Sequence, residues 1–479
     1  MEFGFNPILS GSCLLLSFGL ITYLIWKQIN SRNYNRGLLL TILLGLILRV
    51  FVSTDPFLHE WDERYHALVA KNTIDNPLKP TLYKVPLLEY DYKSWVGNHV
   101  WLHKQPLPLW IMGASMKLFG VNLFGFRFPS IIFSLLAVWL TFLIGAKLFD
   151  KKTGLIAAYL HAINGLIIEL TGGRIATDHV DIFFLFFIEL SIWFVILYQG
   201  KRNFWNLVLI GFCTGCAVLT KWLPALIVLP IFMVLDYKTF SDKKTILNLV
   251  IIVAAIALIS APWQLYTAYE FPLENVWEKH FNWLHLTTVL DEQTGPYYYF
   301  FSKLRIHYGE IMYLPFLWFL LRKKNWVDRK KMALIIWILL PLLFFSISKT
   351  KMQGYTLFIA PAVFIMLGLF VRYLSFTAAS LSKKTSRIMA QTILLLLILL
   401  PIRYSIERIK PFSEANSQIP LYMHRIQELQ ENGTENLVIE NCERPIETMF
   451  FTNHIAYDKK LTINEREKIQ QLGYSVIEF

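Results

Sequence analysis

Apolar runs long enough to cross a lipid bilayer recur along this chain, and no other feature constrains its fold as strongly. A spanning helix needs roughly 20 apolar residues, fewer where it meets irregular structure, because lipid offers the backbone no hydrogen-bond partners. Such runs occupy residues 5–26, 37–53, 123–146, 153–170, 180–199, 204–220, 223–235, 245–263, 308–321, 332–347, 356–371 and 388–402. Hydrophobic residues make up 55% of the chain and charged residues 17%. That balance excludes disorder, a fibrous repeat and an ordinary cytosolic enzyme. The first run lacks a basic leader and a small-residue cleavage site, so it reads as a retained helix. The expected fold class is an all-α polytopic membrane protein of about 12 transmembrane helices.

The connections alternate in charge. Lys27, Arg32 and Arg36 follow the first run, Lys147, Lys151 and Lys152 the third, and Lys201 and Arg202 the fifth. Lys238, Lys243 and Lys244 follow the seventh, six basic residues between Arg322 and Lys331 the ninth, and Arg372, Lys383, Lys384 and Arg387 the eleventh. Every second connection is basic, which assigns these to the cytoplasm. They more than account for the net charge of +12, so the basicity marks topology and calls for no nucleic-acid partner. The opposite face receives connections 54–122, 264–307 and 348–355 and the tail from residue 403.

Three domains are expected. Residues 1–36 form an extra N-terminal helix and cytoplasmic loop, 37–402 a transmembrane domain with outer loops 54–122 and 264–307, and 403–479 a small extracytoplasmic α/β domain. In the last, 437–440 reads as a strand, Thr462-Ile463-Asn464-Glu465 as a capping box opening a helix that stops at Gly473, and 474–478 as a final strand. Asn432-Gly433-Thr434 matches a glycosylation sequon, a triplet common by chance. Cys213 and Cys216 sit inside an apolar run, where small residues three apart serve helix packing and not metal or redox chemistry.

The outer connections concentrate polar residues beside the bilayer, and loops of this length carry function. His59 to Ala70 reads as a helix along the interface, with Trp61, Tyr65, Leu68 and Val69 on one face. Asp62 and Glu63 in its first turn either cap the helix or present a general base. Lys104, just ahead of a proline-initiated apolar helix, either offers an ammonium to a phosphate or snorkels toward headgroups. Arg174 and Asp178 are four apart on the same face of the membrane, and Asp181 falls a turn deeper, where an ionisable group needs a partner or a cavity. Lys349 and Lys351 in a tight outer turn run against the positive-inside bias and suggest an anionic ligand. His280 and His285, five apart, are poorly placed to share a metal on one helical face.

Taken in order along one membrane face, these segments resemble the type-C glycosyltransferases that use polyprenyl-phosphate sugars, above all the protein O-mannosyltransferases and aminoarabinose lipid A transferases. The resemblance covers roughly residues 37–402. Asp62-Glu63-Arg64-Tyr65 matches the acidic pair of the first outer loop. Lys104-Gln105-Pro106-Leu107 resembles the lysine–proline motif, with Gln105 where a proline is expected. Residues 174–178 match the second acidic motif, and 348–355 the late serine–lysine segment ending in tyrosine. One departure is that His280 is followed by Trp283 and His285 with no arginine nearby, where the lipid A branch would have one.

The resemblance implies that Asp62 deprotonates or orients the acceptor, that Lys104, Lys351 and Tyr355 hold the donor phosphate, and that transfer inverts the anomeric carbon in one displacement. Asp178 joins Asp62 as an expected catalytic carboxylate and Lys349 joins the phosphate ligands. Glu63, Arg64, Tyr65, Arg174, His280 and His285 are expected to bind substrate. The implied partners are a polyprenyl-phosphate sugar, membrane lipids and an acceptor lipid, protein or glycan. No metal is required, a divalent ion staying open. The site and the C-terminal domain are expected on the periplasmic side of a bacterial plasma membrane. The rival reading is a transporter or flippase for a lipid-linked glycan, which would carry midplane charges and inverted repeats; no internal repeat is seen.

Overall fold

The computed structural model describes residues 6–236, 243–431 and 436–478. The sequon at 432–434 and Lys238 fall outside the described residues. Helices α1 (Pro7–Asn30) and α2 (Tyr34–Ser53) form an N-terminal hairpin. Two short helices of the first outer loop follow, α3 (Asp62–Thr73) and α4 (Pro106–Phe119), and then α5 (Leu123–Leu148), α6 (Lys151–Ala162), α7 (Gly165–Thr171), α8 (Asp178–Gly200) and α9 (Phe204–Lys221). The bundle continues through α10 (Leu223–Asp236), α11 (Lys243–Glu270), α12 (Pro272–Thr287), α13 (Tyr299–Tyr308), α14 (Glu310–Leu321), α15 (Lys323–Val327), α16 (Arg329–Ile347), α17 (Gln353–Ser380) and α18 (Lys384–Ile409).

Among the described residues nine helices are long and apolar enough to cross a membrane, and α6 with α7 makes a tenth as a pair bent by 54°. Helices α10 and α14 are apolar but shorter, so each of the twelve runs has a helical counterpart. The sequence reads 153–170 as one run, whereas the chain breaks at Asn164. That side chain leaves the helical path to cap α7 through the Ile167 N–H and donates to the His307 carbonyl at 2.7 Å, which satisfies backbone groups freed by the break. Helices α9 and α11 approach closely along Gly211 and Gly215, where a Cβ would collide with Ala255 and Ile259. Cys213 and Cys216 lie buried in that same helix as free thiols.

The C-terminal segment folds as α19 (Leu421–Glu431), β1 (Leu437–Glu440), α20 (Pro445–Phe451), β2 (Ile455–Ala456), α21 (Ile463–Gln471) and β3 (Ser475–Glu478). The strands form a parallel sheet in the order β2-β1-β3, with Val438 opposite both Ile455 and Val476. Parallel pairing follows from the helix-containing crossovers between strands. Thr462 and Glu465 form the reciprocal capping box at the start of α21.

This module seats on α3. Arg64 pairs with Glu447 at 3.3 Å, and Lys71 donates to the carbonyls of Met449, Phe450 and Thr452 at the end of α20. Burial pushes the Lys71 pKa down to about 8, while the carbonyl end of α20 favours a cation there. The expected interfacial helix is therefore corrected: α3 is covered on nearly all sides, with Glu63, Tyr65, His66, Leu68 and Val69 all buried. Of the four residues expected on the interfacial face, only Trp61, just before the helix, stays largely exposed.

Candidate functional site

Helix α3 projects Asp62 and Glu63 in different directions. Asp62 accepts the Thr177 N–H at 2.8 Å and faces the Lys104 ammonium at 3.6 Å. Lys104 is carried to that point by the turn that ends at Gln105, the N-cap of α4, where Pro106 suits a first helical position whose N–H has no intrahelical partner. Both side chains keep a wet edge, Asp62 at 13% and Lys104 at 21% exposure. Burial alone would raise the Asp62 pKa, but the charge of Lys104, with His66, His103 and the Thr177 N–H, reverses it, and the carboxyl is held well below the usual range.

A second ion pair adjoins the first. Asp181, one turn into α8, meets Lys221 at the end of α9 and accepts the Thr177 hydroxyl. Lys221 lies 5.5 Å from the Tyr355 ring centroid, and Tyr355 lies in the field of both Asp181 and Asp62. Gly354 lets its backbone close onto this pair, since a Cβ there would overlap the Asp181 carboxylate and Thr177 hydroxyl. The connections that deliver these groups are strained: Thr177 has φ 71°, Asp178 φ 29° and Trp222 φ 63°. Such conformations persist at sites where neighbouring structure enforces them. The sequence reading passes over Lys221; its signal is a lysine closing an apolar run on the side away from the basic connections.

The rest of the floor comes from the second outer loop. The Thr350 N–H donates to the His285 carbonyl, the Lys349 N–H to the Leu286 carbonyl, and the Lys351 N–H to the Gln293 carbonyl at 2.8 Å. His285 is partly buried, 6.5 Å from the Tyr355 ring, and burial lowers its pKa. His103 stacks on Trp95 at 4.9 Å and is likewise lowered, by burial first and then by Lys104.

Several expected site residues lie elsewhere. Glu63 is buried and saturated: Arg127 binds it at 2.7 and 3.1 Å, the His59 N–H and ring reach it at 2.7 and 2.6 Å, and His179 at 3.3 Å. Burial would raise its pKa, but Arg127 and His59 hold it well below the usual carboxylate range. It has no face left for a substrate. Arg174 does not pair with Asp178 as the four-residue spacing suggests. It grips Asp55 with two nitrogens at 2.7 and 2.9 Å, while Asp178, fully buried, holds His66 at 2.9 Å behind Asp62. Asp178 is thus engaged by His66 and has no exposed edge. Arg64 turns to the C-terminal module, and Tyr65 packs against Trp95 at 4.8 Å.

His280 is exposed beside Trp277 and outside the cluster. Lys351 is buried, and its ammonium caps the end of α16 through the carbonyls of Ser346 at 2.9 Å and Ser348 at 2.6 Å, so it offers nothing to a phosphate. Lys349 is exposed at the rim. Among the described residues no group of three or more His, Cys, Asp or Glu side chains is placed to hold a metal ion.

A bundle of apolar helices with its charged groups gathered where helix ends meet loops defines a polytopic membrane protein with a site on one face. Residues 103–263 match the family model of dolichyl-phosphate-mannose-protein mannosyltransferases. The chain is 28% identical over 280 residues to the undecaprenyl phosphate-alpha-4-amino-4-deoxy-L-arabinose arabinosyl transferase of Pseudomonas aeruginosa strain UCBPP-PA14, a match covering 55% of this chain and 49% of that protein. The chain thus spans about half the length of the curated relatives it matches. Its fold is similar to ArnT from Cupriavidus metallidurans bound to undecaprenyl phosphate, with TM-score 0.61 and 16% identity, covering 92% of this chain and 89% of that one. It is also similar to AglB from Archaeoglobus fulgidus in complex with an inhibitory peptide and a dolichol-phosphate, with TM-score 0.60 and 16% identity over 88% and 64% of the two chains. The chain has the fold of these two proteins and resembles the mannosyltransferase family model over residues 103–263.

Proposed function

We propose that the protein is an integral-membrane glycosyltransferase, moving a sugar from a polyprenyl-phosphate donor to a hydroxyl of a lipid, protein or glycan on the outer face of the plasma membrane. The observation that carries this reading is the wet-edged pair of Asp62 and Lys104 beside Asp181 and Lys221. It unites two carboxylates and two cations where a lipid-linked donor can reach them from the bilayer. In the reaction the acceptor oxygen attacks the anomeric carbon, the bond from that carbon to the phosphate oxygen breaks, and its electron pair leaves with the phosphate. Lys104 and Lys221 stabilise the anion as its charge develops, with Lys349 at the rim and Tyr355 beside Lys221. The acceptor proton passes to Asp62. One carboxylate acting as base suits a single inverting displacement.

The neighbouring cations favour the ionised form of Asp62. An anionic phosphate beside Lys104 offsets that cation, so donor binding raises the basicity of Asp62 at the moment a base is needed. The test is transfer of radiolabelled sugar from polyprenyl phosphate in detergent. Asp62→Asn should lower the rate by about 100-fold or more with folding unchanged, and near-normal transfer would remove Asp62 from the mechanism. Sugar appearing on an acceptor without sealed vesicles separates this reading from transport.

A further inference from the structure

A cavity of about 240 Å³ lies where the first outer loop meets the C-terminal module. It shares no lining residue with the Asp62 cluster. Tyr83 and Tyr457 stack across the join at 5.1 Å and 10°, and Tyr90, largely exposed, stands edge-on to His99 at 5.7 Å. The walls are firm: the His99 ring contacts the Tyr83 carbonyl at 2.5 Å, the Leu82 N–H donates to the His99 carbonyl at 2.9 Å, and Thr81 bridges Val100.

The polar groups here are lopsided. Glu89 and Asp458 line the cavity, are exposed, and enter no ion pair among the described residues. The cation beside them, Lys459, is engaged by Glu465 at 2.7 Å. Asn98 lines the same cavity at 2% exposure, and its Oδ1 has no hydrogen-bond partner. A buried acceptor left unpaired is unfavourable, and a donor that reaches it recovers the difference. The cavity therefore combines tyrosine faces, unspent acceptors and little free positive charge. Tyrosine offers an apolar face and a polar tip, which suits the alternating C–H and O–H surface of a sugar ring. The volume falls below the roughly 300–1,000 Å³ of drug-sized sites and is of a size for one such ring.

We propose that this cavity is a saccharide-binding site, separate from the transfer site, for one hydroxyl-rich ring that is neutral or amine-bearing. Acidic sugars are repelled by Glu89 and Asp458. The site bridges the loop that carries Asp62 and the C-terminal module, so a ring held there spans both. Its existence does not depend on the transferase reading.

Saturation-transfer NMR on the full-length protein in detergent tests it, with methyl glucoside, glucosamine and glucuronate as probes. Methyl glucoside and glucosamine should both receive saturation, glucuronate the least. Tyr90→Ala and Asp458→Asn should each cut the glucosamine signal about fivefold or more, on the scale of one lost contact, with the melting temperature unchanged. Should Tyr90→Ala melt early, Asp458→Asn, which removes only a charge, carries the test. No saturation of any probe, glucuronate as the strongest, or a full signal in Asp458→Asn would overturn the proposal.

Discussion

Asp62 and Glu63 are adjacent in sequence and roughly 100° apart around α3, and their surroundings differ in kind. Around Glu63 every oxygen is engaged, with Arg127, His59 and His179 closing on it, and behind them Arg174 binds Asp55. Around Asp62 there is one backbone donor and a cation at 3.6 Å, with a partly exposed edge. A saturated carboxylate holds shape, because any change of partner leaves a buried charge uncompensated. A partly satisfied one can exchange a partner for a substrate. The same contrast separates two lysines given one role by their sequence context: Lys104 presents its ammonium at an open edge, and Lys351 spends its own on helix carbonyls.

The largest expected effect is on the closed side. Glu63→Gln leaves Arg127 with only the carbonyls of Ser53, Asp55 and Phe57 as full partners and should destabilise the fold by about 3–5 kcal/mol. Thermal unfolding in detergent reads this as a large drop in melting temperature, with transfer per folded molecule retained. A normal melting temperature with transfer lost would move Glu63 into the site and break the contrast.

Next comes the open side. Lys104→Met removes the leading cation that lowers the Asp62 pKa. A carboxylate held low is ionised above its folded pKa, so removing the cation raises that pKa and moves the acid limb of the pH–rate profile to higher pH. The donor KM should rise about tenfold or more. An acid limb that stays in place would show that Asp62 is not the group titrating there.

The smallest effect sharpens the comparison between lysines. Lys351→Met should lower stability by about 1–2 kcal/mol through loss of its cap and change the donor KM by less than about twofold. A donor KM raised as far as in Lys104→Met would return Lys351 to the phosphate site.

Much of the fold was legible because lipid acts segment by segment. Asn164-Gly165 within an apolar run and Lys221 at the end of another were local signals that the sequence reading passed over. Other features had no local signal. The burial of α3 depends on a module nearly 400 residues away, as the pair Arg64–Glu447 shows. The four-residue spacing of Arg174 and Asp178 misled because residues 172–177 form the link between α7 and α8, so helical spacing has no meaning there.

By itself, then, the sequence determined the number and order of apolar segments, the alternation of basic connections and the face on which the polar motifs gather. Hydrocarbon imposes those requirements on each segment separately. Only the tertiary structure decided which carboxylate stays open. The partners that close Glu63 lie 64 and 116 residues away in Arg127 and His179, and the N–H that orients Asp62 lies 115 residues away in Thr177. A charge becomes structural or chemical according to what packs around it, and that is settled only when distant helix ends meet.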